Sequence, residues 1–337
     1  MASTRELTNR ISMKLDKKGR FIDRDLRGDR FFWLIVGLLA LSITWWILDS
    51  GGSEPGTRTG HVLSQDLTEI SGIVLSRRNV GVIWAHNDSG GEARIFAMDT
   101  EGRPLGVFPL EGATAIDWED IAIGPGPSPE KDYLYVADTG NNDLSRQNIT
   151  IYRVPEPPVS TTAPLQESEL GGVEVLPMRF PSEPRECETL LVHPKNGDIY
   201  LVTRSRNGSA REDASIFHAP GPHREGRLRT LQFLTSFPAP AGIRGGDISS
   251  DGRMVVLRSH SRRHRAGALL WERTNLDRPL HDIFRHQPNH ITLRSEVQGE
   301  SISFSADGKF LFTVSEGRMA PIYRFEVPHA AGTAGSL

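Results

Sequence analysis

Short apolar runs, each closed by a turn, recur in groups of four along most of this chain, and that recurrence limits the folds open to it. The first group is residues 69–76, 82–88, 93–99 and 104–110. The second is 119–124, 133–138, 149–154 and 173–180, and the third is 188–193, 199–204, 214–218 and 229–234. A fourth group comprises 246–250, 254–258, 268–272 and a strand within 282–293. The fifth, 300–305, 310–315 and 321–327, ends one strand short, and the stretch 60–65 can supply it. No amphipathic helix of three turns interrupts these groups. Four-strand units repeating every 50–70 residues are the signature of a β-propeller. A terminal strand completing the last blade also removes an exposed sheet edge. Asn196-Gly197, Asp251-Gly252 and Asp307-Gly308 stand between first and second strands, where tight turns favour positive φ. The expectation is an all-β propeller of five four-stranded blades over 59–328, followed by a disordered tail at 329–337. Six blades remain open if 155–185 or 275–297 holds another. The 33 glycines and 22 prolines among 337 residues fit strands joined by turns.

The first 58 residues differ in kind. Residues 31–48 carry no charge and, as a helix, would span about 27 Å, close to a hydrocarbon core. Trp33 lies near one end and Trp45 and Trp46 near the other, as an interfacial aromatic belt requires. Residues 1–30 hold nine Lys/Arg against five Asp/Glu. This implies a basic cytoplasmic leader and a single-pass signal anchor at 31–48 in the cytoplasmic membrane. A flexible tether at 49–58 then leads to a propeller outside that membrane. The apolar run is longer than the core of a cleaved signal peptide, and no Ala-x-Ala site follows it. Cys187 is the single cysteine, so no disulfide can form within the chain, and a buried strand position suits it.

In a propeller the first strand of each blade lines the channel, and its start shares a mouth with the end of the second strand. Those positions hold Glu69, Asn87 and Asp88 in the first blade, and Glu119, Asp120 and Asp138 in the second. The third supplies Glu186, Glu188 and Arg204, the fourth Asp247 and Arg258, the fifth Glu300 and Glu316. Crowded carboxylates repel unless a cation or an arginine neutralises them. Ca²⁺ prefers hard oxygen donors of this kind, whereas zinc wants His or Cys, which these positions lack. The metal-ligand expectation is Glu69, Asn87, Asp88, Asp120, Asp138 and Glu300. A structural alternative stands beside it, in which the acids cap strand ends and bridge blades. Asp117 and Trp118 are surplus to the repeat and mark the second blade as distinctive, with Trp118 fitting packing better than a stacking platform.

The motifs Glu-Ile-Ser-Gly (69–72), His-Asn-Asp-Ser-Gly-Gly (86–91), Asp-Trp-Glu-Asp-Ile-Ala (117–122) and Tyr-Val-Ala-Asp-Thr-Gly-Asn-Asn (135–142) resemble those of a group of bacterial exported propeller proteins. Cys-Glu-Thr-Leu-Leu-Val (187–192), Gly-Gly-Asp-Ile-Ser-Ser (245–250) and Gly-Glu-Ser-Ile-Ser-Phe (299–304) are similar to that group too. The likeness covers about 69–327 and implies fold and extracytoplasmic location. The group's pattern has Asp where Glu186 or Cys187 falls and Lys where Arg204 stands, which blurs any transferred role for the third blade. A looser likeness to the gluconolactonase and paraoxonase propellers implies channel-bound Ca²⁺ on Glu69, Asn87, Asp120 and Asp138, by fold-level analogy.

Serine-hydrolase elbow, zincin, Walker A and dinucleotide fingerprints are all missing from the sequence. The basic run 259–265 reads as a solvated hairpin, and His281, His286 and His290 are too loosely spaced to suggest zinc. The leading expectation is a membrane-anchored propeller whose acidic mouth binds a divalent cation and a small polar ligand. One alternative is Ca²⁺-dependent ester or lactone hydrolysis with Glu119 or Glu188 as base. Asp117, Trp118, Arg204, Asp247, Arg258 and Glu316 then complete the ligand site. The other is a non-catalytic module that docks an envelope protein. Nucleic acid is not an expected partner.

Overall fold

The computed structural model describes residues 55–203, 213–239, 242–261 and 264–328. The leader, the anchor at 31–48, most of the tether, Arg204 and the tail at 329–337 lie outside the described residues.

The described chain opens with β1 (Thr57–His61), two residues inside the stretch read as tether. Blade I is β2 (Ile70–Leu75), β3 (Val82–Asn87), β4 (Arg94–Asp99) and β5 (Pro104–Pro109). Blade II begins with β6 (Trp118–Pro125), β7 (Asp132–Asp138) and β8 (Ile149–Pro155). The chain then leaves as β9 (Gln166–Glu167), parallel to β5 outside blade I, before β10 (Glu174–Arg179) completes blade II. Blade III is β11 (Cys187–Val192), β12 (Ile199–Thr203), β13 (Asp213–Ala219) and, after β14 (Arg229–Thr230), β15 (Gln232–Pro238). β14 runs parallel to β10 on the outside of blade II. Blade IV is β16 (Ile243–Ile248), β17 (Met254–Ser261), β18 (His264–Glu272) and β19 (Asn289–Thr292), with a 3₁₀ helix at Leu280–Arg285. Blade V is β20 (Gly299–Phe304), β21 (Phe310–Ser315) and β22 (Pro321–Glu326), closed on its outer edge by β1.

The blade count is therefore five. The two stretches that left room for a sixth blade hold the strap β9 with β10, and the 3₁₀ helix with β19. Closure by the N-terminal strand is as expected: Val62 N–H also donates to Ala320 O at 2.9 Å. The straps β9 and β14 each cover the outer edge of the preceding blade, leaving fewer unpaired edge groups.

The inner strands β2, β6, β11, β16 and β20 touch in succession and close the ring. The core is not one mass. Five apolar clusters fill the spaces between neighbouring blades, for example Tyr135, Leu190 and Phe217 between II and III. The predicted turns form with φ of 70°, 75° and 71° at Gly197, Gly252 and Gly308. Blades IV and V use one turn design. Ser249 donates to Asp251 Oδ1 and Ser305 to Asp307 Oδ1, both at 2.6 Å, while Met254 N and Phe310 N return to the serine oxygens. No helix among the described residues is long and apolar enough to cross a membrane.

Candidate functional site

All five inner strands break register at the same place. The shifts fall between Ile70/Gly72, Trp118/Asp120, Cys187/Thr189, Ile243/Gly245 and Gly299/Ser301. Each break is a β-bulge, an extra residue that bends the strand and re-aims a side chain. The bulged residues are Ser71, Glu119, Glu188, Arg244 and Glu300, and they form one ring at the channel mouth. This corrects the register read from sequence in three blades. Ser71 replaces Glu69, Glu119 replaces Asp120, and Arg244 replaces Asp247.

The displaced acids have structural work. Asp120 is 1% exposed; its Oδ1 accepts Ile121 N and its Oδ2 accepts Leu190 N in blade III, both at 2.9 Å. Asp247 accepts Ile248 N at 2.7 Å, and Ser303 Oγ and Phe304 N of blade V at 2.8 and 2.9 Å. Burial pushes both carboxyls up, and those backbone donors oppose the shift. The bridging role weighed for the blade-start acids is thus the observed role of these two. Asn87 is also spent: its Oδ1 accepts Thr68 N and Glu69 N, and its Nδ2 donates to Asp66 O. Glu69 is exposed on the rim, beside Asp88, whose N–H donates to Glu69 O at 2.8 Å.

Within the bulge ring, Arg244 Nη1 lies 2.7 Å from Glu300 Oε1 and 3.3 Å from Glu188 Oε2. Two of the three glutamates therefore share a guanidinium. Glu119 has none. It is 6% exposed, and its carboxylate makes no hydrogen bond to any described residue. Instead it belongs to two groups of acids whose donor oxygens lie within 4.8 Å of one another, Asp88–Asp117–Glu119 and Glu119–Glu186–Glu188. Burial, then Glu188, Asp88, Asp117 and Glu186, drive its carboxyl well above the usual range. Asp88 is pushed up to about 7, first by burial and then by Asp117, Glu300 and Glu69. Glu316 also rises to about 7, by burial and then by Glu300, and accepts Gln298 Nε2 at 2.7 Å.

A loop between β7 and β8 fixes this group from one side. Asp138, fully buried, accepts Asp117 N at 3.1 Å and meets Arg146 Nη1 at 2.8 Å through Oδ1. Arg146 also donates to Gly140 O and Asp138 O, and Asn141 N donates to Glu186 Oε2 at 3.0 Å. Gly140 N returns to Asp117 O at 3.1 Å. Asp88 Oδ1 and Asp138 Oδ2 are buried with no hydrogen-bond partner among the described residues. Such groups call for an ion or a water.

Two expected members face elsewhere. Trp118 is core: 1% exposed, edge-on to His86 with centroids 5.8 Å apart, and donating Nε1–H to Thr114 O at 3.0 Å. Arg258 is fully buried in the wall between blades IV and V, where it pairs with Glu296 and donates to Ser301 O at 2.7 Å. Sequence reasoning missed Arg244, Arg146 and Glu296. Arg244 stood three residues before the aspartate that drew attention, and only the bulge brings it onto the ring.

No family model matches this chain, and no curated protein matches it. Among solved structures, it is similar to the crystal structure of Chaetomium thermophilum Raptor at 11% identity and a TM-score of 0.42. That likeness covers 82% of this chain and 29% of Raptor, so the chain spans under a third of that protein's length. It is also similar to the RRP9 WD40 repeats at 13% identity and a TM-score of 0.40, covering 81% of this chain and 99% of that one. The blade count and the site rest on the geometry above rather than on either likeness.

Proposed function

We propose that the channel mouth binds a divalent cation, Ca²⁺, on Asp88, Asp117 and Glu119. The observation that carries this reading is the Glu119 carboxylate, buried, without a hydrogen bond to any described residue, and central to two carboxylate groups. An isolated buried carboxylate among other carboxylates is costly, and a cation removes that cost. Three carboxylates offer up to six oxygens, which suits the six to eight that Ca²⁺ takes, with water or a small polar ligand completing the shell. The donor set contains no His or Cys, which argues against zinc here. The resemblance to exported propellers and the apolar run at 31–48 support an anchored propeller outside the cytoplasmic membrane, with the mouth open to that compartment.

Hydrolysis is a second reading, favoured by the position of Glu119 beside Glu188. Glu188, beside the Glu119 ligand, would take the proton from an attacking water, and bound Ca²⁺ would polarise a carbonyl.

Calorimetric titration of Ca²⁺ into the full chain tests the cation site. Binding at one site that is lost in Glu119→Gln supports it; heats that match buffer dilution in the wild-type chain refute it. Turnover of an ester and lactone panel by the Ca²⁺-loaded chain decides the second reading. Binding without turnover leaves a binding module.

A further inference from the structure

A second cluster of donors lies on the face opposite the mouth, under the hairpin that joins β11 to β12. Here a cavity of about 440 Å³ is lined by His193, Asp198, Tyr200, His218, Arg273 and His281, among others. We propose that His218, His281 and Asp198 bind a zinc-type divalent ion at the wall of this cavity, a site separate from the acidic mouth.

Unsatisfied nitrogens are the first ground. His218 is 9% exposed, and neither its Nε2 nor His281 Nδ1, both buried atoms, has a hydrogen-bond partner among the described residues. Buried polar atoms without partners mark places where an ion or water belongs. The second ground is distance. His218 Nε2 stands 3.2 Å from Asp198 Oδ2 without making a hydrogen bond. In a tetrahedral zinc site with bonds of about 2.1 Å, neighbouring donors are about 3.4 Å apart.

The imidazole rings of His218 and His281 have centroids 6.0 Å apart at 45°. A ring bonded to zinc has its centre about 3.2 Å from the ion, so two such rings at the tetrahedral angle sit about 5.2 Å apart. The observed pair, at 6.0 Å, is about 0.8 Å wider. The three donors do not converge within 4.8 Å, so the proposed site requires the His281 side chain to rotate inward on its anchored helix.

The surroundings hold the set in place. Tyr200 stacks on His218 at 4.7 Å and 20°, and Gly221 N donates to Asp198 Oδ1 at 2.8 Å, which turns Oδ2 toward His218 Nε2. Orienting contacts of this kind are typical of metal-binding His and Asp. The 3₁₀ helix carrying His281 is anchored by Leu280, Ile283 and Phe284 in the same apolar cluster as Tyr200. Burial also lowers the His281 pKa, favouring the neutral imidazole that metals bind. The buried cation on the cavity wall, Arg273, donates to the carbonyls of Gly252, Leu276 and Arg278 and lies 3.5 Å from His193 Nε2.

The test is a Zn²⁺ titration of the full chain, previously saturated with Ca²⁺, alongside His281→Ala, His218→Gln and Glu119→Gln. One Zn²⁺ per chain is expected. Its affinity should fall about 100-fold or more in either histidine variant, since even outer contacts to metal ligands are worth 10–100-fold. Glu119→Gln should leave it unchanged. Co²⁺ in place of Zn²⁺ should give the visible absorption of a tetrahedral site. His281 is partly exposed, so His281→Ala decides the matter if His218→Gln does not fold. No binding, or binding indifferent to His281→Ala, overturns the proposal.

Discussion

Gly140 faces the Glu119 carboxylate so closely that a Cβ built on it would overlap Oε1, and would overlap the carboxyl of Asp117 as well. The glycine is thus required by two acids at the start of β6, Asp117 just before it and Glu119 within it. Gly140→Ala should displace both carboxylates. We expect Ca²⁺ affinity to fall at least about tenfold, with a stability cost of about 1–3 kcal/mol for overpacking. Calorimetry and thermal melting of the variant check the two effects separately.

Asp120 and Glu119 are adjacent in sequence but should respond oppositely to mutation. Asp120→Ala leaves Leu190 N and Ile121 N without the acceptor they use, at about 2–4 kcal/mol. Glu119→Gln removes a buried carboxyl from a crowd of like charges, so the metal-free variant should melt at or above the wild-type temperature. Added Ca²⁺ should raise the melting temperature of Asp120→Ala and leave that of Glu119→Gln unmoved.

Stability of the metal-free chain should decline with rising pH. Asp88 moves from 3.8 to about 7 on folding and Glu316 from 4.5 to about 7, so both hold protons more tightly in the folded state. Their contribution is complete below about pH 4 and is lost as pH rises through 7. Melts in chelator from pH 5 to 8 should show this fall, and Asp88→Asn should reduce it. Ca²⁺ competes with those protons and should flatten the profile.

Arg258→Ala should be among the most damaging single changes. It strands Glu296 as an uncompensated charge in the wall between blades IV and V, at about 3–5 kcal/mol. Replacing both partners with apolar residues should recover most of the loss. Denaturant unfolding of the single and paired variants measures the difference.

Much of the architecture was legible in the sequence. The strand groups, the Asp-Gly and Asn-Gly turns and the orphan strand at the N-terminal end depend on local composition, which a sequence displays. The site was legible only to within one to three residues. Glu119 and Asp120 are neighbours, and the alternation of a strand assigns one to the core and the other to the mouth. A bulge shifts that alternation by one without leaving a mark in composition. The bulges likewise put Ser71, two residues beyond Glu69, and Arg244, three residues before Asp247, onto the ring. The Asp138–Arg146 and Arg258–Glu296 pairs were hidden for another reason: loop excursions set which charges meet, and spacing does not report it.

The central claim is that a cation sits against Glu119. Crystals of the full chain grown with Tb³⁺ as a Ca²⁺ substitute, with an anomalous difference map, test it most directly. The account predicts one strong peak bounded by Asp88, Asp117 and Glu119, absent in Glu119→Gln. A map without that peak, or with it persisting in Glu119→Gln, would contradict the account.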